Sequence, residues 1–145
     1  MSRKLKNYTT KVPANRSVAE IQGQLAAHGA SGVLLEYAKD GTGRIESLSF
    51  KIAVNGKDVG FRLPLKWKEA QAVMSRGRRY NVDDDLAYRV AWRIVRDWVD
   101  VQMAILDLEI VQLQEIFLPY AIGKDGRTVY ETFASDPSRL LGGGQ

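Results

Sequence analysis

The chain has 145 residues, of which 45% are hydrophobic and 26% charged, values typical of one soluble folded domain and too apolar for intrinsic disorder. The absence of cysteine excludes a disulfide scaffold and a thiolate metal site, and one histidine disfavours designs that need two. The net charge of +4 conceals an asymmetry, because residues 1–80 carry a balance of +9 and residues 81–145 a balance of −5.

The first segments predict a strand and then a helix. Apolar and polar side chains alternate over residues 4–13, as in a short strand. Asn15 or Ser17 is suited to cap the following helix, and Glu20, three residues after Ser17, is typical of a capping box. Helical spacing of apolar residues then continues to Gly29, which we expect to end the helix in a left-handed conformation.

Residues 31–63 contain three apolar runs separated by turn residues. The dipeptide Asn55-Gly56 is the strongest short hairpin signal available, and Asp40–Gly43 is a second turn signal. The pattern predicts a three-stranded antiparallel meander with one apolar face. A helix over residues 66–75 follows.

The second half is dominated by a long predicted helix. It begins at Asp83–Asp85, whose acids complement the helix dipole, and runs to about Leu106 or Leu108. Its apolar stripe predicts Trp98 in the core and Trp92 outside it. The stripe consists of Leu86, Val90, Ile94, Trp98, Val101 and Ile105, and it is widened by Ala87, Ala91, Val95 and Val99.

The end of the chain predicts a hairpin over residues 117–130 and a flexible Gly-rich tail over residues 137–145. Together the elements predict an α+β fold. Helices are expected to pack on one face of a small antiparallel sheet of three to five strands. Residues 1–136 are expected to form this domain as one unit.

Clustered cations of the first half are candidate phosphate ligands, because binding to nucleic acid requires exposed positive charge, and an adjacent aromatic ring can stack on a base. The candidates are Arg76, Arg78 and Arg79 with Tyr80 in a loop between two helices, Lys66 and Lys68 one helix earlier, and Lys4, Lys6 and Lys11 at the amino end. The alternative is that the loop arginines pair with the acidic half of the same chain.

Other charged residues favour structural roles. Arg89, Arg93 and Arg96 each have an aspartate four residues away, which favours pairing within the helix. Asp83–Asp85 suits helix capping better than metal binding, since consecutive residues diverge around a helix axis. His28 lies beside Gly29 at the predicted end of the first helix, and this position favours a capping or surface role. We therefore expect no catalytic residue, no metal and no cofactor, and a protein that is not an enzyme.

Several segments resemble a group of small uncharacterised proteins encoded by phages and other mobile elements. They are FRLP at residues 61–64, AWRIVRDWVDVQ at 91–102, EIFLPY at 115–120 and TVYE at 128–131. The resemblance implies a genomic setting in which small proteins bind nucleic acid or disable host defence proteins. Separately, the predicted order helix, three strands, helix over residues 17–75 resembles that of a double-stranded-RNA-binding domain, in which Lys66 and Lys68 would lie where that fold meets phosphates.

The sequence therefore gives two hypotheses. The first is a non-enzymatic protein of a phage or mobile element that binds DNA or RNA through the basic half. The alternative is a protein-binding inhibitor of a host defence system, similar in role to anti-CRISPR proteins, or a phage assembly factor, with homo-oligomers as a further option. No apolar run is long enough to span a bilayer and the amino end lacks the apolar centre of a signal peptide, so we expect a protein of the bacterial host cytoplasm.

Overall fold

The computed structural model describes residues 6–142 and confirms the α+β fold, with five α-helices, two 3₁₀ helices and one three-stranded antiparallel sheet in that range. In chain order the elements are α1 (Ala14–Ala27), β1 (Gly32–Tyr37), β2 (Ile45–Val54), β3 (Lys57–Arg62), α2 (Trp67–Met74), α3 (Asp84–Asp107), α4 (Leu113–Phe117) and α5 (Val129–Ser135). The 3₁₀ helices are Leu118–Tyr120 and Pro137–Arg139.

The chain divides into two compact units. The helical unit comprises the residues up to His28 together with Leu65–Ala104, and it contains α1, α2 and most of α3. The sheet unit comprises Gly29–Pro64 together with the residues from Ile105 onward, and it contains the sheet, α4 and α5. That residues 1–136 unfold as one domain stays a prediction.

The amino-terminal part of the helical unit differs from the predicted strand. Residues 6–9 form a turn in which Asn7 has a φ of 62° and its carbonyl accepts from the Thr10 amide at 2.9 Å, while residues 1–5 lie outside the described range. Helix α1 begins directly after Pro13, so the predicted cap at Asn15 or Ser17 is wrong. Pro13 has the extended conformation of the residue that precedes a helix, so the helix starts before Ser17. Ser17 therefore lies inside the helix, where it is fully buried.

The end of α1 was predicted correctly. Val18, Ile21 and Leu25 are buried, His28 is the C-terminal cap and Gly29 follows with a φ of 101°. Only glycine adopts that conformation without steric cost, so Gly29 terminates the helix.

Helix α3 begins where the aspartates predicted it to begin, but the burial of its two tryptophans differs from the prediction. The Leu86 amide donates to the carboxylate of Asp83 at 3.3 Å, which confirms the capping role. Val90 and the flanking Ala87, Ala91 and Val99 are buried as predicted. Trp92 is fully buried, however, whereas Trp98 is only partly buried and Val101 is 58% exposed, so the predictions for the two tryptophans are wrong. The buried residues of α3 are Ala87, Val90, Ala91, Trp92, Val99 and Met103.

The meander of the sheet unit was also predicted correctly. The strands follow the order β1-β2-β3, and Val33, Phe50 and Phe61 lie side by side across them. Asn55 and Gly56 have φ values of 52° and 78°, as a two-residue hairpin turn requires. The Phe50 ring stacks on Phe61 at 5.2 Å and meets the edge of Phe117 from α4 at 5.5 Å, which makes an aromatic core.

The terminal hairpin forms only in part. Ile122 bridges Thr128 across the turn, but Thr128 then caps α5 and exchanges hydrogen bonds with Glu131, so the strand predicted at residues 128–130 is wrong. A capping box at this position outweighs the short apolar alternation. Of the predicted tail, Pro137–Arg139 forms a 3₁₀ helix, and residues 143–145 lie outside the described range.

Candidate nucleic-acid interface

The predicted basic loop, Arg76–Tyr80, joins α2 to α3 and is closed at its base by side chains. The Val82 amide donates to the Ser75 hydroxyl at 2.9 Å. The Gln71 amide nitrogen donates to the Val82 carbonyl at 2.7 Å and to an Asp84 carboxylate oxygen at 2.6 Å. Val82 itself is buried. These bonds hold the two ends of the basic loop together.

A tight turn shapes the start of the loop. The Arg78 amide donates to the Ser75 carbonyl at 3.0 Å, and Gly77 has a φ of 73°. A positive φ at the third position of a turn favours glycine, because other side chains clash there. The three arginines in and after this turn are exposed.

The cations of the loop carry positive charge that no ion pair in the described range offsets. Arg76, Arg78 and Arg79 are all exposed, and no carboxylate of residues 6–142 pairs with them within 4.0 Å. Pairing with the acidic half of the chain, the alternative interpretation of these arginines, is therefore not observed over that range. Lys66 and Lys68 are exposed as well.

Helix α2 connects the two predicted groups of cations. Lys66 and Lys68 lie at its start and the basic loop lies at its end. Eight residues of α-helix measure about 12 Å at a rise of about 1.5 Å per residue. One DNA strand carries a phosphate about every 3.4 Å along the helix axis, so this length corresponds to about three or four phosphates.

The aromatic side chains of the helical unit divide into two kinds. Trp67, Tyr88 and Trp92 form a series of edge-to-face contacts, with ring centres 5.9 Å and 6.4 Å apart, that ends at the buried Trp92. Tyr80 is different, because it is 76% exposed and its ring lies 5.8 Å from the Arg79 guanidinium carbon. The fold does not use the Tyr80 ring for packing.

The amino-terminal lysines differ from one another. The Lys6 ammonium lies 3.2 Å from the Asp97 carboxylate, so an ion pair offsets its charge. The same carboxylate also accepts a hydrogen bond from the Asn7 side-chain amide at 2.9 Å. Lys11 is exposed. Lys4 lies outside the described residues. Of the amino-terminal candidates that the structure describes, Lys11 alone stands without an ion pair over residues 6–142.

Glu20 and the arginines of α3 form a network that the sequence did not reveal. A Glu20 carboxylate oxygen accepts from Arg96 at 2.7 Å and from Arg93 at 3.0 Å. Arg96 also lies 3.7 Å from Asp100, which confirms that one predicted pair, but the Arg89 side chain donates to the Thr10 carbonyl instead of an aspartate. These arginines stabilise the fold and are not available to a ligand.

The network also changes the acidity of its members. Burial alone would raise the pKa of Glu20, but the hydrogen bond from Arg96 and the charges of Arg93 and Arg96 outweigh it, so the pKa lies below its usual value. Burial would likewise raise the pKa of Asp97, yet hydrogen bonds from Asn7, Lys6 and Arg96 lower it. Both carboxylates are therefore held in the charged form.

The two units differ in charge, although not as the two halves of the sequence do. In the described range the helical unit has eleven Lys and Arg against seven Asp and Glu, a balance of +4, and the sheet unit has eight against ten, a balance of −2. The difference is smaller than in the sequence because the helical unit takes in Asp83–Asp85, Asp97 and Asp100 from the acidic half. The basic loop is thus a local positive feature within a mildly positive unit.

Three further observations on the described residues concern metal ligands, the single histidine and membrane-spanning helices. Residues 6–142 contain no group of three His, Asp or Glu side chains placed to hold a metal ion. The His28 ring nitrogen Nδ1 lies 2.8 Å from the Gln24 carbonyl, in keeping with its position at the helix end. Over the same residues, no helix is both long enough and apolar enough to cross a bilayer.

Comparison with known proteins gave no match: no family model fits the chain, and neither a curated protein nor a solved structure is significantly similar to it. The element order of residues 14–74 is helix, three strands, helix, as predicted. The resemblance to phage and mobile-element proteins stays a prediction.

We expect Gln71→Ala to loosen the basic loop. The change removes both hydrogen bonds of the Gln71 amide and leaves the Val82 carbonyl without its side-chain donor, at a cost of about 1–2 kcal/mol. Hydrogen exchange of the Val82 amide should become faster and urea unfolding should shift to lower concentration. Gln22→Ala, the same change on α1, is the control. Unchanged exchange at Val82 would contradict the closure of the loop by Gln71.

Proposed function

We propose that this chain is a non-enzymatic nucleic-acid-binding protein of a phage or mobile element, acting in the cytoplasm of a bacterial host. Its phosphate ligands would be Arg76, Arg78 and Arg79 of the basic loop, with Lys66 and Lys68 at the other end of α2. The observation that carries the proposal is an exposed loop of three arginines, closed at its base by side-chain hydrogen bonds and unneutralised within residues 6–142.

The physical basis is the release of counterions. Each phosphate that a lysine or arginine neutralises frees condensed cations, and the gain in entropy drives binding at low salt. Asp83–Asp85 begin three residues after Tyr80 and repel phosphate, so they restrict the route of the strand. We expect the phosphate chain to follow α2 from the basic loop toward Lys66 and Lys68, and to avoid the start of α3.

The test is a variant in which Arg76, Arg78 and Arg79 become alanine. Fluorescence polarisation with labelled oligonucleotides at low salt should show affinity lower by about 10- to 100-fold. The slope of log affinity against log salt should also decrease by roughly 0.7–0.9 for each phosphate that the variant no longer neutralises.

A matched control removes the same charge elsewhere. Lys39, Lys57 and Lys124 are exposed residues of the sheet unit, and their replacement by alanine should leave most of the affinity and the salt slope intact. No binding by the wild-type protein at low salt would overturn the proposal. An equal loss in both triple variants would show that net charge alone, and not the basic loop, produces the binding.

A second candidate function is the binding of a host protein, as an inhibitor of a defence system or as an assembly factor. The observation that favours it is the distribution of large hydrophobic side chains that are exposed: of the eleven in residues 6–142, eight belong to the sheet unit. They are Leu34, Tyr37, Leu108, Ile110, Leu118, Tyr130, Leu140 and Leu141.

This candidate predicts a different pattern of effects. A complex with a host protein would persist at high salt and would be abolished when Leu108 and Ile110, both 69% exposed, become serine. Self-association through the same residues would appear as a mass above 16.2 kDa in light scattering. The arginine variant of the basic loop would leave either complex intact.

A further inference from the structure

We infer that the basic loop binds single-stranded nucleic acid and that a base stacks on the ring of Tyr80. This inference rests on the proposed function and narrows it to one class of ligand. The loop then supplies two kinds of contact, with phosphate on Arg76 and Arg78 and a base on Tyr80.

The Tyr80 side chain is strongly exposed. Its side chain is 76% exposed, the highest value among the large hydrophobic residues that stand exposed in residues 6–142. The other aromatic rings nearby in sequence, those of Trp67 and Tyr88, contact one another within the fold. The Tyr80 ring thus contributes little to stability, and apart from the face that the Arg79 guanidinium approaches it is open to a ligand.

The Tyr80 ring also lies next to positive charge. Tyr80 directly follows Arg78 and Arg79, and the Arg79 guanidinium carbon lies 5.8 Å from the ring centre. A cation near an aromatic ring favours a stacked base, and the neighbouring arginines can hold the phosphates on either side of that base. Proteins that bind single strands combine these same two elements.

An intact duplex does not offer a base face on which Tyr80 could stack. In a duplex both faces of each base are covered by neighbouring bases, and only base edges are presented in the grooves. A side-chain ring can stack only on a base that has left the stack, as in a single strand, a loop or an end. Tyr80 therefore adds affinity for a single strand that it does not add for an intact duplex.

Hydrogen bonds hold the basic loop in place before any ligand binds. The bonds of Gln71 and Ser75 to Val82 fix both ends of the segment that bears Tyr80, and the Arg78 amide bond fixes its turn. Ordering a free loop on binding costs free energy for each side chain immobilised, and a loop that is already ordered avoids part of that cost. A single aromatic ring can then make a measurable contribution.

The experiment compares the full-length protein on labelled single strands of thymidine or uridine, about 20 nucleotides long, and on a blunt duplex of equal length. This length exceeds a typical site of roughly 4–16 nucleotides. We expect the single strands to bind at least about tenfold more tightly than the duplex. Tyr80→Ala should lower single-strand affinity by about 5- to 100-fold, as removal of one stacked base does, while the salt slope stays unchanged.

Two controls separate stacking from a structural effect. Tyr80→Trp retains an aromatic face and should keep wild-type affinity, and Tyr130→Ala removes an exposed tyrosine from the sheet unit and should have no effect. A strand with abasic sites retains the phosphates but offers no base. On that strand Tyr80→Ala should bind as the wild-type protein does.

The outcomes distinguish this inference from the proposed function. If the duplex binds as tightly as the single strands and Tyr80→Ala changes nothing, while the arginine variant still loses affinity, the stacking inference is wrong and the proposed function stands. If no oligonucleotide binds at low salt, the proposed function itself fails. Tyr80-dependent binding to thymidine strands, to uridine strands or to both supports the inference, and binding to one of them alone identifies whether DNA or RNA supplies the base.

Discussion

Replacement of Trp92 by alanine is expected to lower the free energy of unfolding by about 3–5 kcal/mol, the range found when a large buried aromatic is truncated. Trp92 is fully buried, and its ring meets the edge of Tyr88 at 6.4 Å. The cavity left by an indole cannot be filled without moving the surrounding helices. Urea unfolding followed by far-ultraviolet circular dichroism measures the change without depending on tryptophan fluorescence.

A second variant at the same position separates packing from hydrogen bonding. The Trp92 Nε1 is buried and has no hydrogen-bond partner within residues 6–142. Trp92→Phe removes that donor, which is costly to bury without an acceptor, and retains most of the ring. The phenylalanine variant should therefore lose less than about 2 kcal/mol, well below the loss for alanine.

Trp98→Ala is the matched comparison on the same helix. Trp98 is only partly buried, so its loss should be smaller than that of Trp92. An equal or larger loss at Trp98 would mean that the face predicted by the periodicity of the sequence, and not the one in the structure, carries the core of α3.

The error in α3 has a physical origin in the composition of that helix. Apolar residues occupy more than one stripe, since Val90, Ile94 and Trp98 define one phase and Val95 and Val99 define a neighbouring one. Periodicity identifies an amphipathic helix but does not determine the rotation when the apolar arc is this wide. The rotation depends on which other elements the helix packs against, and that information is not local in sequence.

Features decided by one or two adjacent residues were predictable. Gly29 ends α1 and Asn55-Gly56 makes the hairpin turn, because these residues tolerate positive φ where others do not. Asp83 caps α3, because its short carboxylate reaches a nearby amide that the helix leaves unpaired. Each outcome depends on local backbone chemistry that few competing contacts oppose.

Features that depend on distant partners were not predictable. Glu20 reads as part of a capping box, yet besides the neighbouring Arg16 its partners are Arg93 and Arg96, more than seventy residues away. The closure of the basic loop by Gln71 is similar, since a glutamine on a helix surface gives no indication of which backbone groups it will contact. A single side chain fits several roles, and only the tertiary arrangement selects one.

The candidate site combines both cases. The loop and its cations follow from the sequence, but which arginines remain available follows from the structure. Arg93 and Arg96 are engaged by Glu20, and Arg96 also by Asp97 and Asp100. Over residues 6–142 the arginines of the basic loop have no carboxylate partner, and the nucleic acid is proposed to bind there.

The Glu20 network predicts a strong effect of one substitution. Glu20→Ala leaves both Arg93 and Arg96 without their shared carboxylate. Removal of one member of a buried ion pair costs about 3–5 kcal/mol, and since these side chains are 20–27% exposed we expect a smaller loss of about 2–3 kcal/mol at neutral pH. Urea unfolding at pH 7 measures it. Glu20→Gln, which retains an acceptor but not the charge, should lose about half as much.

The same network determines the acid sensitivity of the fold. The pKa of Glu20 in the folded state lies below its ordinary value of 4.5, so in the interval between the two values the unfolded chain binds more protons than the folded chain. The stabilisation is therefore complete above about pH 5 and is lost as the pH falls through the folded-state pKa. Asp97, whose pKa is also lowered, contributes a change of the same sign.

The expected result is a smaller dependence of stability on pH in Glu20→Gln. Between about pH 5 and pH 2 the free energy of unfolding of the wild-type protein should fall more steeply than that of the variant, because the variant has no carboxylate at this position to protonate. Glu46→Gln, at an exposed glutamate of β2, is the control and should retain the wild-type slope. Parallel slopes for wild-type and Glu20→Gln proteins would show that the two arginines do not stabilise the charged form of Glu20 in solution.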